Sequence, residues 1–228
     1  KARFDTLDFF DGVPNKATIK KVNNNLDYSH GFQAFLSGIQ IASMDALRKG
    51  ILSFGPANIT AILFEDLMDS RSLLLIANTT SVYQMLWLQL KDEPMVIETP
   101  LDVLGIIDNH WFRYLADFGR LGPDNGKGGK FLILPPNYKG EIPTGYHVKR
   151  TTILTERVWR GFQVDGSTIT TVDNTKKKFK VYPLSKKNNP PKMNFINVSG
   201  KFFNTIHRMD YKNYDEINEV VQSEPGYG

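Results

Sequence analysis

The first part of the chain has apolar residues at the three- and four-residue spacing that is typical of amphipathic helices. Ile19, Val22 and Leu26 follow this spacing and predict a short helix from about Asn15 to Asn25. Consecutive asparagines then end that helix, because asparagine favours turns over helix interiors. A second helix is predicted over Ser29–Lys49, where apolar residues again recur on one face.

After Gly55 and Pro56 the pattern changes to short apolar runs separated by glycine, proline and asparagine. Such runs predict β-strands, and the intervals between them are too short for the crossover helices of a parallel sheet. We therefore predict an antiparallel β-sandwich or barrel. The predicted strands are Ile59–Phe64, Leu73–Ile76, Val82–Leu90, Pro94–Thr99, Leu104–Ile107, Trp111–Phe118, Lys130–Leu134, Tyr146–Arg150, Val158–Val164 and Val181–Leu184.

The C-terminal part returns to helical spacing. Thr168–Phe179 is predicted as a helix with Ile169, Val172 and Phe179 facing inward, and Asp210–Ser223 as the last helix, with Asp210 as its N-cap. The fold class is therefore α+β and mainly β. The expected organisation is a helical subdomain at 1–55, an antiparallel β-sandwich at 56–184, and a linker with the C-terminal helix at 185–228.

Composition narrows the classes of protein that fit. The chain has 228 residues, 41% of them hydrophobic, which is enough for a packed core. A formal net charge of +4 without a basic stripe disfavours nucleic-acid binding, and the apolar runs are shorter than the ~18–20 residues of a membrane span. The chain has no cysteine, no HExxH motif and no paired-histidine spacing, so we predict neither a metal ligand set nor a cofactor.

The segment from Asp108 to Asp117 concentrates reactive side chains at a predicted strand start. In a strand, Asp108 and His110 share one face, where the carboxylate can orient the imidazole as a general base. The candidate catalytic residues are therefore His110, Asp108 and Asp117, with Trp111 and Arg113 as ligand-binding neighbours. A turn histidine bonded to nearby backbone is the alternative that the sequence leaves open.

The loop Gly122–Lys130 is rich in glycine and ends in a strand. Glycines let backbone N–H groups converge on an anion, so Asp124, Lys127 and Lys130 are further candidate ligand-binding residues. The GxxxxGK[ST] order of a Walker loop is absent. A plain hairpin loop, with positive φ at Asn125 and Gly126, explains the same composition.

Longer segments resemble one family. The runs FEDLMDSRSLLLIANTTSVYQMLWLQLKDEPMVIETP, GPDNGKGGKFLILPPNYKGEIPTGY and VDNTKKKFKVYPLS are similar to the domain-of-unknown-function 1254 family. The resemblance implies jelly-roll-like sandwich domains behind a helical N-terminal portion. It also implies a C-terminal companion domain, of the domain-of-unknown-function 1214 type, in the same protein. A periplasmic or secreted location is implied too, although a cytoplasmic one stays open.

Two functions remain open from the sequence. The first is a domain that binds a glycan or another polar ligand and, as a hydrolase, cleaves it. Its cleft would be formed with the companion domain or with a second copy of the chain. The second is a non-catalytic interaction module that packs on the companion domain. Convergence of His110, Asp108 and Arg113 in one pocket would favour the first function.

Overall fold

The computed structural model describes residues 6–74, 78–152, 155–161 and 167–224, with backbone alone at 155–161 and Phe203. Three α-helices lie in these ranges: α1 Lys16–Leu52, α2 Thr168–Lys178 and α3 Lys212–Ser223. The strands there are β1 Phe9–Phe10, β2 Val13–Pro14, β3 Thr60–Leu63, β4 Ser72–Leu73, β5 Val82–Gln89, β6 Met95–Thr99, β7 Val103–Asn109, β8 Tyr114–Gly119, β9 Gly129–Leu134, β10 His147–Arg150, β11 Thr155–Gly161, β12 Lys180–Pro183, β13 Asn194–Asn197 and β14 Phe203–Asn204.

The chain divides into two compact units, Lys1–Gln40 and Ile41–Gly228. In the first unit β1 and β2 form a small antiparallel hairpin, which is followed by the start of α1. The Asn15 side chain accepts a hydrogen bond of 2.8 Å from the backbone N–H of Thr18, as an N-cap residue does. The Thr18 hydroxyl is buried against the backbone of Asp8.

Helix α1 corrects the prediction of two N-terminal helices. It is one continuous helix from Lys16 to Leu52 and includes all three asparagines of the run that was expected to end it. Asparagine in a helix interior costs at most about 0.7 kcal/mol relative to alanine, and an established helix gains a hydrogen bond with each further residue. The predicted stop at this run was therefore wrong.

The second unit contains a six-stranded sheet in the order β13-β3-β5-β11-β7-β8 and a four-stranded sheet in the order β10-β9-β6-β12. Most neighbouring strands are antiparallel, which confirms an α+β fold with mainly antiparallel sheets. The pairs β9–β10, β3–β13 and β4–β14 are parallel, which the sequence did not predict. In each of these pairs the two strands are separated by enough residues for the crossover connection that parallel strands need.

The two sheets pack face to face, because one apolar cluster takes residues from both. Alternate residues of β5 and β6 point into this cluster, as the period of two in a strand requires. Gly105 lies against the ring of Phe118 there, and a side-chain carbon at Gly105 would come 2.0 Å from that ring. The cluster includes Leu63, Leu86, Leu88, Met95, Ile97, Ile107, Phe118, Phe131, Ile133, Phe179 and Val181.

The outer faces of the sheets are also covered. The C-terminal part of α1 packs Met44, Leu47 and Ile51 on the six-stranded sheet, where they meet Trp87 and Phe64. Strand β5 is therefore buried on both faces, which explains its almost continuous run of large apolar residues. The outer face of the four-stranded sheet has its own smaller apolar cluster, formed by Val96, Leu132, Leu134 and Tyr182.

Several predicted elements differ in detail from the structure. Strand β8 begins at Tyr114, so the predicted strand start at Trp111 was wrong. Ile169 on α2 is 71% exposed and does not face inward as predicted, whereas Val172 and Phe179 are buried as predicted. Helix α3 begins at Lys212, although Asp210 does accept a hydrogen bond from the Lys212 backbone N–H. The predicted strand ends at residues 75–76 and 162–164 lie outside the described residues.

Candidate functional site

A tight turn between β7 and β8 sets the position of His110. The Asn109 side-chain oxygen accepts hydrogen bonds from the backbone N–H groups of Trp111, at 2.9 Å, and Arg113, at 3.0 Å. Phe112 has a φ of +59°, a conformation that few non-glycine residues adopt. His110 therefore lies in a turn, and the strand geometry that would place it beside Asp108 is not formed.

His110 is buried, with 3% of its side chain exposed, between two carboxylates. Its Nδ1 atom lies 3.6 Å from Oε1 of Glu224, and its Nε2 atom lies 3.9 Å from Oδ1 of Asp45. Both distances exceed that of a direct hydrogen bond. The Trp87 ring packs edge-on to the imidazole, with ring centres 5.2 Å apart.

Two basic residues on the same helix hold the Asp45 carboxylate. Arg48 donates from Nε to Oδ1 at 2.8 Å, and the Lys49 ammonium lies 2.7 Å from Oδ2. Lys49 also lies 3.1 Å from Glu216, and this contact joins α1 to α3. Burial acts to lower the pKa of Lys49, but the two carboxylates outweigh it and raise that pKa above its usual value.

These groups line a pocket of about 600 Å³ between α1, β5, the His110 turn and α3. The volume lies within the range of small-molecule sites in proteins. Trp87 and Gln89 line it, and the buried indole N–H of Trp87 and side-chain oxygen of Gln89 have no hydrogen-bond partner among the described residues. Charged groups complete the lining: Asp45, Arg48, Lys91, His110, Glu219 and Glu224.

The pocket brings together only part of the predicted site. Trp111 lies next to the His110 ring, with ring centres 6.3 Å apart. Asp108 is buried on β7 but does not line the pocket, and Arg113 is exposed. Asp117 accepts a hydrogen bond of 3.1 Å from the Tyr114 hydroxyl, whose pKa is raised by partial burial and by that carboxylate.

The Gly122–Lys130 loop lies elsewhere and uses its polar groups internally. Asp124 is buried, and its Oδ1 accepts a hydrogen bond of 2.7 Å from the Gly119 backbone N–H. The loop N–H groups of residues 122, 125, 126, 127 and 129 all donate to neighbouring oxygens. Lys127 is exposed, and Lys130 pairs with Glu98 at 3.2 Å. A ligand-binding role for this loop stays a prediction.

Sequence reasoning missed Asp45, Glu224, Trp87 and Gln89 as members of one site. One signal was present for Asp45, which stands between apolar residues on a helix face that becomes buried. A carboxylate in such a place needs a charged partner. No local pattern indicated that Glu224 meets a histidine more than one hundred positions earlier in the chain.

Within the described residues, no cluster of three or more histidine or acidic side chains has the arrangement of a metal site. Among the helices that the structure describes, none combines the length and hydrophobicity needed to cross a membrane.

The fold and the pocket define an α+β protein with two mainly antiparallel sheets. A buried histidine, His110, lies in a pocket that residues of α1, β5 and α3 line. The chain belongs to the family described as protein of unknown function (DUF1254), whose sequence model matches residues 61–183. This match confirms the family resemblance. No protein of curated function matches the chain.

In three dimensions the chain is similar to the VPA0106 protein from Vibrio parahaemolyticus, with a TM-score of 0.56 and 19% sequence identity. The similarity covers 83% of this chain and 45% of that one, so this chain spans less than half the length of its structural relative. At this level of identity the similarity supports the fold alone.

Proposed function

We propose that the Ile41–Gly228 unit binds a small polar ligand, such as a sugar unit of a glycan, in the pocket beside His110. We further propose that His110 acts on this ligand as the acid–base group of a hydrolase. The supporting observation is the buried imidazole of His110, which lies between Asp45 and Glu224 at the wall of a pocket of about 600 Å³.

The two carboxylates suit a histidine that exchanges a proton. When the imidazole takes a proton from an attacking water, it becomes a cation, and nearby anions stabilise that cation. Asp45 faces one ring nitrogen and Glu224 faces the other. The imidazolium then returns the proton to the leaving oxygen of the ligand, so the residue is unchanged after each turnover.

The rest of the pocket suits a hydroxylated ligand. Trp87 lines the pocket with a side chain that is 1% exposed, and its indole N–H is a buried donor without a hydrogen-bond partner among the described residues. Gln89 adds an acceptor that has no partner among the described residues. Arg48 and Lys91 can bind an anionic substituent, because guanidinium and ammonium groups match carboxylates.

The test is binding by ligand-observed NMR to a panel of neutral monosaccharides, disaccharides and uronic acids. We expect His110→Gln and Trp87→Phe to weaken binding of whichever sugar binds the unaltered protein, roughly ten-fold or more. His30→Gln, in the first unit, is the matched control and keeps the affinity. Binding that is equal in all variants, or no binding to any sugar, contradicts the proposal.

A hydrolytic role needs a separate measurement. Release of reducing ends from polysaccharides that contain the bound sugar is expected from the unaltered protein and lost in His110→Gln. Binding without such release leaves a ligand-binding domain and removes the catalytic part of the proposal.

A second candidate, an interaction module, is favoured by the segment that leads into α3. In this segment Phe202, Met209 and Tyr211 are at least 70% exposed, and Ile206 is 44% exposed. Large apolar side chains exposed in this number within one short segment fit an interaction site. The structural relative is more than twice as long as the region matched, which supports a companion domain as the partner, with a second copy of the chain as the other candidate.

Co-expression with the companion domain of a related protein, followed by affinity purification and light scattering, tests this second candidate. We expect a stable complex that Met209→Glu with Tyr211→Glu disrupts. Retention of the complex in that variant contradicts it. The family resemblance also supports a jelly-roll-like connectivity of the two sheets. It supports a periplasmic or secreted location too, and fractionation of cells that express the whole gene tests that location.

A further inference from the structure

A second pocket, far from His110 in sequence, opens beside the sandwich core. It has a volume of about 400 Å³ and lies between the end of α2, strand β12 and the segment that leads into β13. Its apolar lining consists of Phe179, Pro190, Pro191, Met193 and Phe195. Its charged lining consists of Lys176, Lys177, Lys180 and Lys192. Among the residues that the structure describes, no acidic one lines the pocket.

The floor of this pocket is part of the core of the molecule. Phe179 and Met193 are buried members of the apolar cluster between the two sheets, and Phe195 packs against it. The Met193 sulfur accepts a hydrogen bond of 3.3 Å from the Val181 backbone N–H. The segment that leads into β13 therefore lies along the outer edge of β12. An apolar group that binds in the pocket would contact side chains of the core.

The wall of the pocket is preformed. Pro190 and Pro191 have fixed φ angles, so the segment loses little conformational freedom when a ligand binds. A rigid wall of this kind raises affinity without any additional contact.

The lysines differ in how well they are neutralised. Lys176 lies 2.7 Å from Glu65, and Lys180 lies 3.8 Å from Glu98. Lys177 and Lys192 form no ion pair with any residue that the structure describes. Their positive charge, together with the apolar lining, favours a ligand that has both an anionic group and an apolar body.

We propose that this pocket is a binding site for small organic anions with an apolar body, such as aromatic or medium-chain carboxylates and sulfonates. The apolar part of the ligand contacts Phe179, Met193 and Phe195. The anionic group lies between Lys177 and Lys192. This site is separate from the sugar pocket of the proposed function and does not depend on it.

The experiment is isothermal titration calorimetry of the whole chain with naphthalene-1-sulfonate at about 0.15 M salt. We expect one site with a dissociation constant on the order of 0.1–1 mM, which is typical of a ligand of this size. Methanesulfonate carries the same charged group without the rings, and naphthalene-1-methanol carries the rings without the charge. Both are expected to bind at least roughly five-fold more weakly.

The variant Lys177→Glu with Lys192→Glu is expected to weaken naphthalene-1-sulfonate binding roughly ten-fold. The matched control is Lys178→Glu with Lys186→Glu, which makes the same change in net charge on α2 and the same loop but outside the pocket lining. Equal weakening in both variants would mean that only general charge attraction is at work. That result, or equal binding of all three probes, would overturn the proposal.

Discussion

The Nδ1 atom of His110 lies 3.6 Å from Oε1 of Glu224, so the turn after β7 meets the C-terminal end of α3. With Asp45 on the other ring nitrogen, three separate segments of the chain meet at one imidazole. The carboxylates of Asp45 and Glu224 are buried there, and a buried carboxylate depends on the polar groups around it.

Replacement of Asp45 by asparagine is expected to destabilise the protein by about 2 kcal/mol. The side chain keeps its size but loses the charge that Arg48 and Lys49 neutralise. Urea unfolding followed by tryptophan fluorescence measures the change. Asp27→Asn, at an exposed position of the same helix, is the control and should leave the unfolding midpoint unchanged. A similar midpoint in both variants would contradict the role assigned to Asp45.

Glu98 makes the stability depend on acidic pH. Burial acts to raise its pKa, but the Tyr182 hydroxyl, at 2.7 Å, and Lys130 outweigh it and lower the pKa below 4.5. A lowered carboxylate pKa stabilises the fold above the unfolded-state value, and this stabilisation is lost as pH falls through the folded-state value. Glu98→Gln should therefore be less stable than the unaltered protein at neutral pH. The difference should shrink below pH 4.5, as measured by urea unfolding at a series of pH values.

Lys49 makes the stability of the protein decrease at alkaline pH, whereas Glu98 makes it decrease at acidic pH. Its pKa is raised above 10.5, so its contribution is complete below that value and is lost as pH rises through the folded-state pKa. Lys49→Met should lower the melting temperature at neutral pH, and the difference from the unaltered protein should decrease above pH 10.5. Glu216→Gln should show a smaller change of the same kind, because Asp45 still pairs with the lysine. A difference that stays constant across this pH range would refute the assignment.

Gly105 allows the close approach of β7 to Phe118. A methyl group there would lie 2.0 Å from the ring, so Gly105→Ala should cost about 1–3 kcal/mol of folding free energy. Phe118→Leu makes room for that methyl group. Gly105→Ala should therefore lower the unfolding free energy less in the Phe118→Leu background than in the unaltered protein. A double-mutant cycle of unfolding free energies measures this difference. Equal costs in both backgrounds would show that Phe118 does not cause the strain.

Asp124 is expected to stabilise its loop through the hydrogen bond to Gly119. Asp124→Ala should lower the unfolding free energy by about 1–3 kcal/mol, because a buried N–H loses its acceptor. Lys127→Met, an exposed change in the same loop, should have no effect on stability. If Asp124→Ala unfolds at the same urea concentration as the unaltered protein, the hydrogen bond is not important for stability.

The strands of the sandwich were predictable because their patterns reflect burial. Strand β5 is apolar along nearly its whole length, since one face meets the other sheet and the opposite face meets α1. The continuation of α1 through the asparagine run was missed, because the prediction relied on helix propensities, and differences of a few tenths of a kcal/mol cannot stop a helix that is already formed.

The site was predictable only in its central residue. His110 stood out by composition, but its direction depends on the positive φ of Phe112 and on the hydrogen bonds of Asn109. Alternation along a strand therefore does not describe the position of this side chain. The neighbours Asp45 and Glu224 are separated from His110 by long stretches of chain, so no local spacing indicates them.

Strand β13 pairs in parallel with β3, and Asn194 is opposite Thr60. While the protein is being made on the ribosome, β3 has no neighbour on that side until this late segment emerges. An unsatisfied strand of this kind is a template for association with other nascent chains. Productive folding of the six-stranded sheet therefore waits until Asn194–Asn197 has been synthesised, and chaperones that shield the earlier strands should raise the yield of native protein.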